Sequence, residues 1–326
     1  MPPDLSFARP NLRLTGGKDV DLHCLEFHKR RRCHWTNGLP LMFAFVCLVV
    51  SAMACPAAQI VVDDLGRRIV LPYGARRIVA LDPSVVEVLY AVGGGSRLVG
   101  VSTYTDYPAS ARFLPMLDGV DPSREVLAGL RPDLIMVTDQ MMTRRDADQK
   151  SRLWGAPLFV SSSGSYEAVE RKVAQYGAYF GKPVPTNATI TTMRRALADV
   201  LRRVAGRPRP SVFDVVWTKP LMTAGRGSFI NNLVTLAGGR DVAGTAAPYS
   251  EYPSEKLIAD DPDIVLASQV SISETRRALA GMHLRAVARN RVCGISDDLI
   301  TRAGPRLSQG IELIARILHP EAFVKP

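Results

Sequence analysis

The chain has 326 residues, of which 47% are apolar, and its formal net charge is +10 at pH 7. This length allows two domains of ordinary size, and the apolar content is sufficient for two hydrophobic cores. The basic residues are scattered and form no Lys/Arg tract interleaved with aromatic residues, which argues against nucleic-acid binding. A mildly basic exterior, or a cleft for an anionic ligand, is the remaining interpretation of the charge.

Residues 1–58 have the composition of a leader with a signal peptide. Lys29–Arg32 is positively charged, Leu39–Ala54 is apolar, and Ala52–Ala54 has the small-x-small pattern of a cleavage site. A membrane anchor is the alternative, but the apolar stretch is shorter than the ~20 residues of a bilayer span. We therefore expect cleavage and export. A lipid on Cys55 is a further alternative, although lipoprotein signals usually have Leu where this chain has Ala52.

Residues 59–164 alternate between short apolar strands and helices after a hairpin-like segment at Asp63–Leu71. The predicted strands are Arg77–Leu81, Arg97–Val101, Leu134–Val137 and Leu158–Ser161, and the predicted helices include Val85–Ala91 and Thr143–Trp154. Such alternation is typical of a parallel sheet that helices cover on both faces. The sequence therefore predicts an N-terminal α/β lobe over residues 59–164.

Residues 165–207 have a helical pattern throughout. Tyr166–Phe180 predicts one helix, Gly181–Pro183 interrupts it, and Thr186–Val204 predicts a second helix that is ~28 Å long at 1.5 Å per residue. A single long helix between two α/β halves would be a stiff connector that permits only modest opening. Strand–helix alternation then resumes, so we expect a C-terminal α/β lobe over residues 208–326. The predicted fold class is α/β, with two lobes, each a mostly parallel sheet flanked by helices.

One short pattern occurs in both predicted lobes, at Pro122–Ile135 and at Pro253–Val265. In each copy a Ser is placed to cap a short helix, and a Glu lies in the first turn, where the helix dipole favours a carboxylate. Pro-Asp follows seven residues after the Glu and ends the helix before a buried strand. The repeat places Glu125 and Glu255 at equivalent points of two similar lobes. A ligand held between the lobes, and a partner that contacts both carboxylates, would fit this arrangement.

The sequence shows no catalytic or metal-binding constellation. Three of the five His lie in the leader, and His283 and His319 are isolated, so no metal site and no cofactor are predicted. Gly93–Gly95 lacks the Lys of a phosphate loop, and Ser162–Ser165 lacks the Gly-x-Ser-x-Gly of a nucleophile elbow. Cys293, in an apolar run, is expected to be a small core residue. A binding protein is favoured over an exported α/β enzyme, which is the alternative.

Several further motifs identify a resemblance that extends from about Asp63 to Ala322. They are Gly100–Pro108, Thr223–Ile230 with Ala237–Gly239 at the end of the next helix, and Arg302–Arg306. Together with the repeated Glu and Pro-Asp pattern, they resemble periplasmic substrate-binding proteins of the metal-chelate class. These proteins serve ATP-driven importers of cobalamin, ferric siderophores and haem, and the cobalamin-binding members are the most similar.

The resemblance implies a set of ligand-binding residues. They are Tyr104, Trp217, Met222, Tyr249 and Arg302. Tyr104 matches the Tyr that contacts the corrinoid, and Arg302 would bind an anionic group of the ligand bidentately. The chain departs from the cobalamin-binding members at three cleft aromatics, where it has Thr138, Met222 and Tyr249. Haem-binding members have an iron-ligating Tyr ahead of the first repeat, where this chain has Gly119–Asp121, which argues against haem.

The resemblance also implies partners and a location. Glu125 and Glu255 match the glutamates that dock on Arg residues of a membrane permease, so the expected partners are a small metal chelate and an ABC permease with its ATPase. The protein is expected to be a periplasmic monomer that contacts the membrane through the permease or through a lipid on Cys55. A ferric siderophore receptor is the alternative within the class. The hypothesis of a receptor for free metal is weakened by the absence of His ligands.

Overall fold

The computed structural model describes residues 59–71, 74–140 and 142–324. The predicted leader, its cleavage site and Cys55 lie outside these ranges, so their assignment stays a prediction. Within the described ranges, no helix combines the length and the apolar character that a membrane span requires.

The first sheet has five parallel strands and follows an antiparallel hairpin. The hairpin strands are β1 Gln59–Val62 and β2 Arg68–Leu71, and the sheet strands are β3 Ile78–Ala80, β4 Leu98–Ser102, β5 Met116–Leu117, β6 Leu134–Thr138 and β7 Leu158–Ser161. The accompanying helices are α1 Pro83–Ala91, α2 Arg124–Leu130 and α3 Arg144–Trp154. The strand order is β5-β4-β3-β6-β7. Every residue of β3, β6 and β7 is buried, as expected for apolar strands that are covered on both faces.

Two helices, α4 Tyr166–Tyr179 and α5 Pro183–Val204, lie in the chain between the two larger sheets. The sequence predicted that Pro183 would interrupt the helical pattern, but Pro183 is the first residue of α5. A first-turn proline needs no hydrogen-bonded N–H and has a helical φ, so it begins a helix as readily as it ends one. The role of α5 as a stiff connector stays a prediction.

The second sheet has four parallel strands, in the order β11-β8-β13-β14. The remaining strands in chain order are β8 Ser211–Val215, β9 Trp217–Thr218, β10 Leu221–Thr223, β11 Arg240–Asp241, β12 Ser250–Glu251, β13 Ile264–Ser268 and β14 Val292–Ile295. The helices are α6 Phe229–Leu236, α7 Ser254–Asp260, α8 Ile272–Leu279, α9 Arg285–Ala288, α10 Asp297–Ile300 and α11 Leu307–Leu318. Strands β9, β10 and β12 form a separate small antiparallel sheet that the sequence did not predict.

One hydrophobic cluster includes residues of both larger sheets. Ile78 of β3 and Val212 of β8 belong to it, together with Tyr176 of α4 and Ile311 of α11. Two further clusters fill the opposite faces of the first and second sheets. The predicted fold class, two lobes that each contain a mostly parallel sheet flanked by helices, is confirmed. Because the strands of each sheet are parallel, their carboxyl ends and the loops that follow them lie along one edge, where ligands of open α/β sheets bind.

Candidate ligand-binding cleft

A cavity of about 570 Å³ lies at the carboxyl edge of the second sheet. Its wall is formed by the carboxyl ends of β8 and β13, by residues that follow β8 and β14, and by the start of α6, and Gln140, which follows β6 of the first lobe, also lines it. Apolar side chains of Val215, Phe229 and Ile230 lie beside the polar groups of Ser268 and other residues. A concave, mainly apolar wall with a few polar groups is the usual form of a small-molecule site.

The motif Thr223–Ile230 shapes one side of this cavity. The hydroxyl of Ser228 caps α6 by accepting a hydrogen bond from the N–H of Asn231 at 3.1 Å, and it donates to the carbonyl of Ala224 at 2.6 Å. Gly225 packs against the chain at Ala246, where an added Cβ would lie 2.5 Å from the carbonyl oxygen. The motif therefore holds the first turn of α6, including Phe229 and Ile230, against the cavity.

The aromatic candidates from the sequence occupy different positions. Tyr249 lines the cavity with 44% of its surface exposed. Tyr104, in the loop after β4, is 68% exposed, and Trp217 of β9 is 61% exposed. Met222 of β10 is half-buried and is paired across the small sheet with Trp217. The structure thus places Tyr249 in the cavity wall, while the other three lie outside that wall. Thr138, one of the departures from the cobalamin-binding members, is buried and donates a hydrogen bond to Asp82.

Arg302 is engaged by carboxylates of the protein itself. Its guanidinium forms a hydrogen-bonded ion pair with Asp106, and it lies 2.9 Å from Asp298 and 3.8 Å from Glu87. The hydrogen bond from Arg302 lowers the pKa of Asp106 from its ordinary value. An Arg with three acidic neighbours has little uncompensated charge to offer an anionic ligand.

Arg306 connects the two lobes through Glu87. The Glu87 side chain, on α1, accepts hydrogen bonds from Arg306 at 2.6 and 3.0 Å, although Glu87 is only 3% exposed. The guanidinium of Arg306 also lies 4.0 Å from the centre of the Tyr107 ring. The motifs Gly100–Pro108 and Arg302–Arg306 therefore contact each other across the lobes, through Asp106 and Tyr107 of the first motif. The sequence alone did not indicate this contact.

Asp214 is a cleft residue that the sequence reasoning missed. It lies near the carboxyl end of β8, lines the cavity and is 8% exposed. Burial raises the pKa of Asp214 to about 7, and the neighbouring Asp241 adds to the effect. The second carboxylate of the wall, Asp297, accepts a hydrogen bond from Ser268 at 2.7 Å. The sequence contained a signal that could have identified Asp214 as a functional residue. Asp214 interrupts the apolar run 212–216, and a charged residue is unusual in a strand that is otherwise typical of a core.

The repeated segments form equivalent structures. Glu125 and Glu255 are exposed in the first turns of the seven-residue helices α2 and α7, and both helices end at a residue with left-handed backbone. Ser123 caps α2 as predicted, but the predicted cap by Ser254 is wrong. Ser254 is the first residue of α7, since the chain adopts the N-cap conformation one residue earlier. Neither glutamate forms an ion pair within the described ranges.

Within residues 59–71, 74–140 and 142–324, no group of three or more His, Cys, Asp or Glu side chains is arranged to hold a metal ion. His319 is buried, and its ring lies 3.3 Å from the carbonyl oxygen of Gly238.

Comparison with known proteins places these features in context. The sequence model of the family described as periplasmic binding protein matches residues 78–298. An ABC transporter substrate-binding lipoprotein of Bacillus subtilis, YvrC, is 26% identical over 273 residues, which cover 81% of this chain and 87% of that protein. The vitamin B12-binding protein of Vibrio cholerae is 26% identical over 274 residues, which cover 83% of this chain and 98% of that protein.

Solved structures show the same relationship. The periplasmic vitamin B12-binding protein BtuF of Vibrio cholerae superposes with a TM-score of 0.68 and 26% identity, covering 78% of this chain and all of that one. A periplasmic heme-binding protein of Pseudomonas aeruginosa gives a TM-score of 0.66 and 26% identity, covering 77% of this chain and 95% of that one. These matches confirm the resemblance that the sequence motifs indicated.

Proposed function

Because the chain belongs to the periplasmic binding protein family, as its match over residues 78–298 shows, we propose that it captures a corrinoid-like metal chelate and delivers it to a membrane permease. Its relatives include an ABC transporter substrate-binding lipoprotein and vitamin B12-binding proteins. The observation that carries the proposal is the cavity of about 570 Å³, whose wall includes residues of both lobes. A cavity of this volume holds a drug-sized ligand, and a larger ligand fits when part of that ligand extends out of the cavity opening.

Aromatic rings supply the broad contact that a flat chelate requires. Tyr249 lines the cavity, and Tyr104 and Trp217 are exposed in segments that follow β4 and β8. An exposed aromatic ring that becomes covered by a ligand contributes a large apolar area with little loss of side-chain freedom. We assign Tyr249 in the cavity wall to the ligand surface, and we extend that surface beyond the wall to Tyr104 and to Trp217 with Met222 beside it.

The charges of the cleft favour a corrinoid over an anionic ferric siderophore. Among the described residues that line the cavity, Asp214 and Asp297 are the charged ones, and neither Lys nor Arg is present. Arg302 and Arg306 are close by but are paired with Glu87, Asp106 and Asp298. A polyanionic ligand would find few uncompensated cations there, whereas a macrocycle with a neutral rim meets no electrostatic penalty. The vitamin B12-binding relative of Vibrio cholerae supports the same assignment.

The test is direct titration of the purified protein. Calorimetry and visible absorption are recorded with cyanocobalamin, with a ferric hydroxamate siderophore and with haemin. Binding of cyanocobalamin in preference to the other two supports the proposal. Preference for the ferric siderophore would leave the transport class intact and transfer the ligand assignment to the alternative, and the absence of any chelate binding would refute the proposal.

Glu125 and Glu255 are proposed as the contacts with the permease. Both carboxylates are exposed and have no ion pair within the described ranges, and they occupy equivalent first turns of α2 and α7. Unpaired carboxylates at matching points of two lobes can each pair with an Arg of a partner without disturbing the fold. The partner that this arrangement fits is an ABC permease coupled to its ATPase.

Export and a monomeric state complete the proposal. The leader predicted at residues 1–58 would direct the protein to the periplasm, with membrane contact through the permease or through a lipid on Cys55. Mass spectrometry of the protein from the cell envelope should give a mature N-terminus near residues 55–59. An intact Met1 would refute cleavage, and a mass increment on Cys55 would establish the lipid.

A further inference from the structure

Asp214 has an environment that is incomplete without a ligand. The carboxylate lies at the cavity wall, its backbone is paired with β13 opposite Leu266, and its sequence neighbours Phe213 and Val215 are buried. No N–H or O–H group within the described residues donates a hydrogen bond to it. Buried polar groups in folded proteins almost always have a hydrogen-bond partner. Residue Asp214 is 8% exposed, but its oxygens are not fully enclosed, so they open into the cavity and their partner comes from the occupant of the cavity.

No cation lies among the described groups around Asp214, and none of these groups donates a hydrogen bond to it. Asp241, on the adjacent strand β11, already accepts hydrogen bonds from Asn231 and from the N–H of Ala243, both at 2.8 Å. Asp297, on α10, is bonded to Ser268. Tyr249 is the remaining titratable neighbour, and its pKa is raised chiefly by burial and also by Asp214. Helix α6 contributes Phe229 and Ile230 to the cavity wall, and both are apolar.

We propose that Asp214 is a specificity-determining residue, which accepts a hydrogen bond from an N–H or O–H group of the bound chelate and selects ligands with a donor-bearing rim over ligands with a carboxylate-bearing rim. The inference deepens the proposed function and rests on it. A rim of neutral carboxamides satisfies the buried carboxylate. A rim of carboxylates would leave Asp214 unpaired and place a like charge beside it. Selection of this kind is efficient, because a site built to accept a donor is left with an unpaired buried group when the donor is missing.

The protonation state of Asp214 gives the selection a pH dependence. Burial raises the pKa of Asp214 to about 7, so the group changes between acid and carboxylate in the physiological range. A ligand donor requires the carboxylate, and affinity for a donor-bearing chelate should therefore rise as the pH increases through 7. A carboxylate-bearing chelate requires the protonated acid as its donor, and its affinity should change in the opposite direction.

The experiment compares full-length wild type with Asp214→Asn and Asp214→Val, using cyanocobalamin as the carboxamide-rimmed probe and haemin as the carboxylate-rimmed probe. Asp214→Val removes the acceptor and should weaken cyanocobalamin binding about 10- to 100-fold at pH 8, the range expected for losing a hydrogen bond to a charged group. Asp214→Asn keeps an oxygen acceptor, so it should lose less affinity, and its cyanocobalamin affinity should no longer depend on pH near 7. It should also bind haemin at least as tightly as wild type, since its amide can donate.

The matched control is Asp263→Asn, which alters a carboxylate of the same lobe that does not line the cavity. Asp263 already has donors in the N–H and hydroxyl of Ser211, so cyanocobalamin affinity should stay within about threefold of wild type. Circular dichroism establishes that each variant is folded. If wild type binds cyanocobalamin and Asp214→Val binds it equally well, this inference is overturned and the proposed function stands. If wild type binds neither chelate, the proposed function fails and this inference fails with it.

Discussion

Replacement of Glu87 by Gln should reveal how much the contact between the lobes contributes to stability. Glu87 is 3% exposed and receives two hydrogen bonds from Arg306, with Arg302 3.8 Å away. Removal of one member of a buried ion pair typically costs 3–5 kcal/mol, because the remaining charge is buried without a counterion. The side chain of Arg306 is 21% exposed, and Arg302 keeps Asp106 and Asp298, so the expected loss is lower, about 2–3 kcal/mol.

Thermal unfolding followed by circular dichroism measures this loss. At roughly 2–4 °C per kcal/mol for a protein of this size, Glu87→Gln should lower the melting temperature by about 5–10 °C. Arg306→Gln should have a similar effect, since it leaves Glu87 buried with Arg302, 3.8 Å away, as its remaining cation. The double variant should lose less than the sum of the two single losses, by about 1–3 kcal/mol, since neither charge is then left unpaired.

An exposed pair of the same type provides the control. Arg316 and Glu312 on α11 form a salt bridge at 2.6 Å, but their side chains are about half exposed. Arg316→Gln should therefore change stability by less than about 1 kcal/mol. A melting temperature for Glu87→Gln within the range of this control, or strictly additive losses in the double variant, would refute the account of Glu87 as a buried link between the lobes.

Three further predictions concern the ligand, the pH response and the permease. Tyr104→Ala should weaken cyanocobalamin binding by ~1–3 kcal/mol in calorimetry with little change in stability, and unchanged affinity would remove Tyr104 from the site. Because the pKa of Asp214 is raised to about 7 in the folded protein, folding gains stability from this group at low pH and loses it as the pH rises through 7. Between about pH 5 and about pH 8, the free energy of unfolding of the ligand-free wild type should thus fall by roughly 2–3 kcal/mol more than that of Asp214→Asn. Equal pH profiles of the two proteins in urea unfolding would contradict this. Charge reversal of Glu125 or Glu255 to Lys should leave ligand affinity intact and weaken a permease pull-down, and high salt should weaken the wild-type complex too, whereas Glu167→Lys, an exposed first-turn control on α4, should dock normally.

Regular patterns in the sequence were sufficient to predict the fold class. Strands such as β6 are apolar along their whole length and alternate with helices, and this pattern by itself specifies parallel sheets with both faces covered. The repeat also predicted equivalent helices with exposed Glu125 and Glu255, because a first-turn acid after a cap depends only on nearby residues. The start of α5 at Pro183 was missed, since proline is compatible with both the end and the beginning of a helix.

The chemistry of the cleft depended on the tertiary structure. The sequence presented Arg302 as a free cation for an anionic ligand, but the fold pairs it with Asp106, which is 196 residues away in the chain. The fold also buries Asp214 at the cavity wall and leaves Tyr104 exposed. Local patterns determine helices and strands, because these depend on residues a few positions apart. The charge that a side chain offers to a ligand depends on burial and on counterions, and distant segments supply both only when the chain has folded.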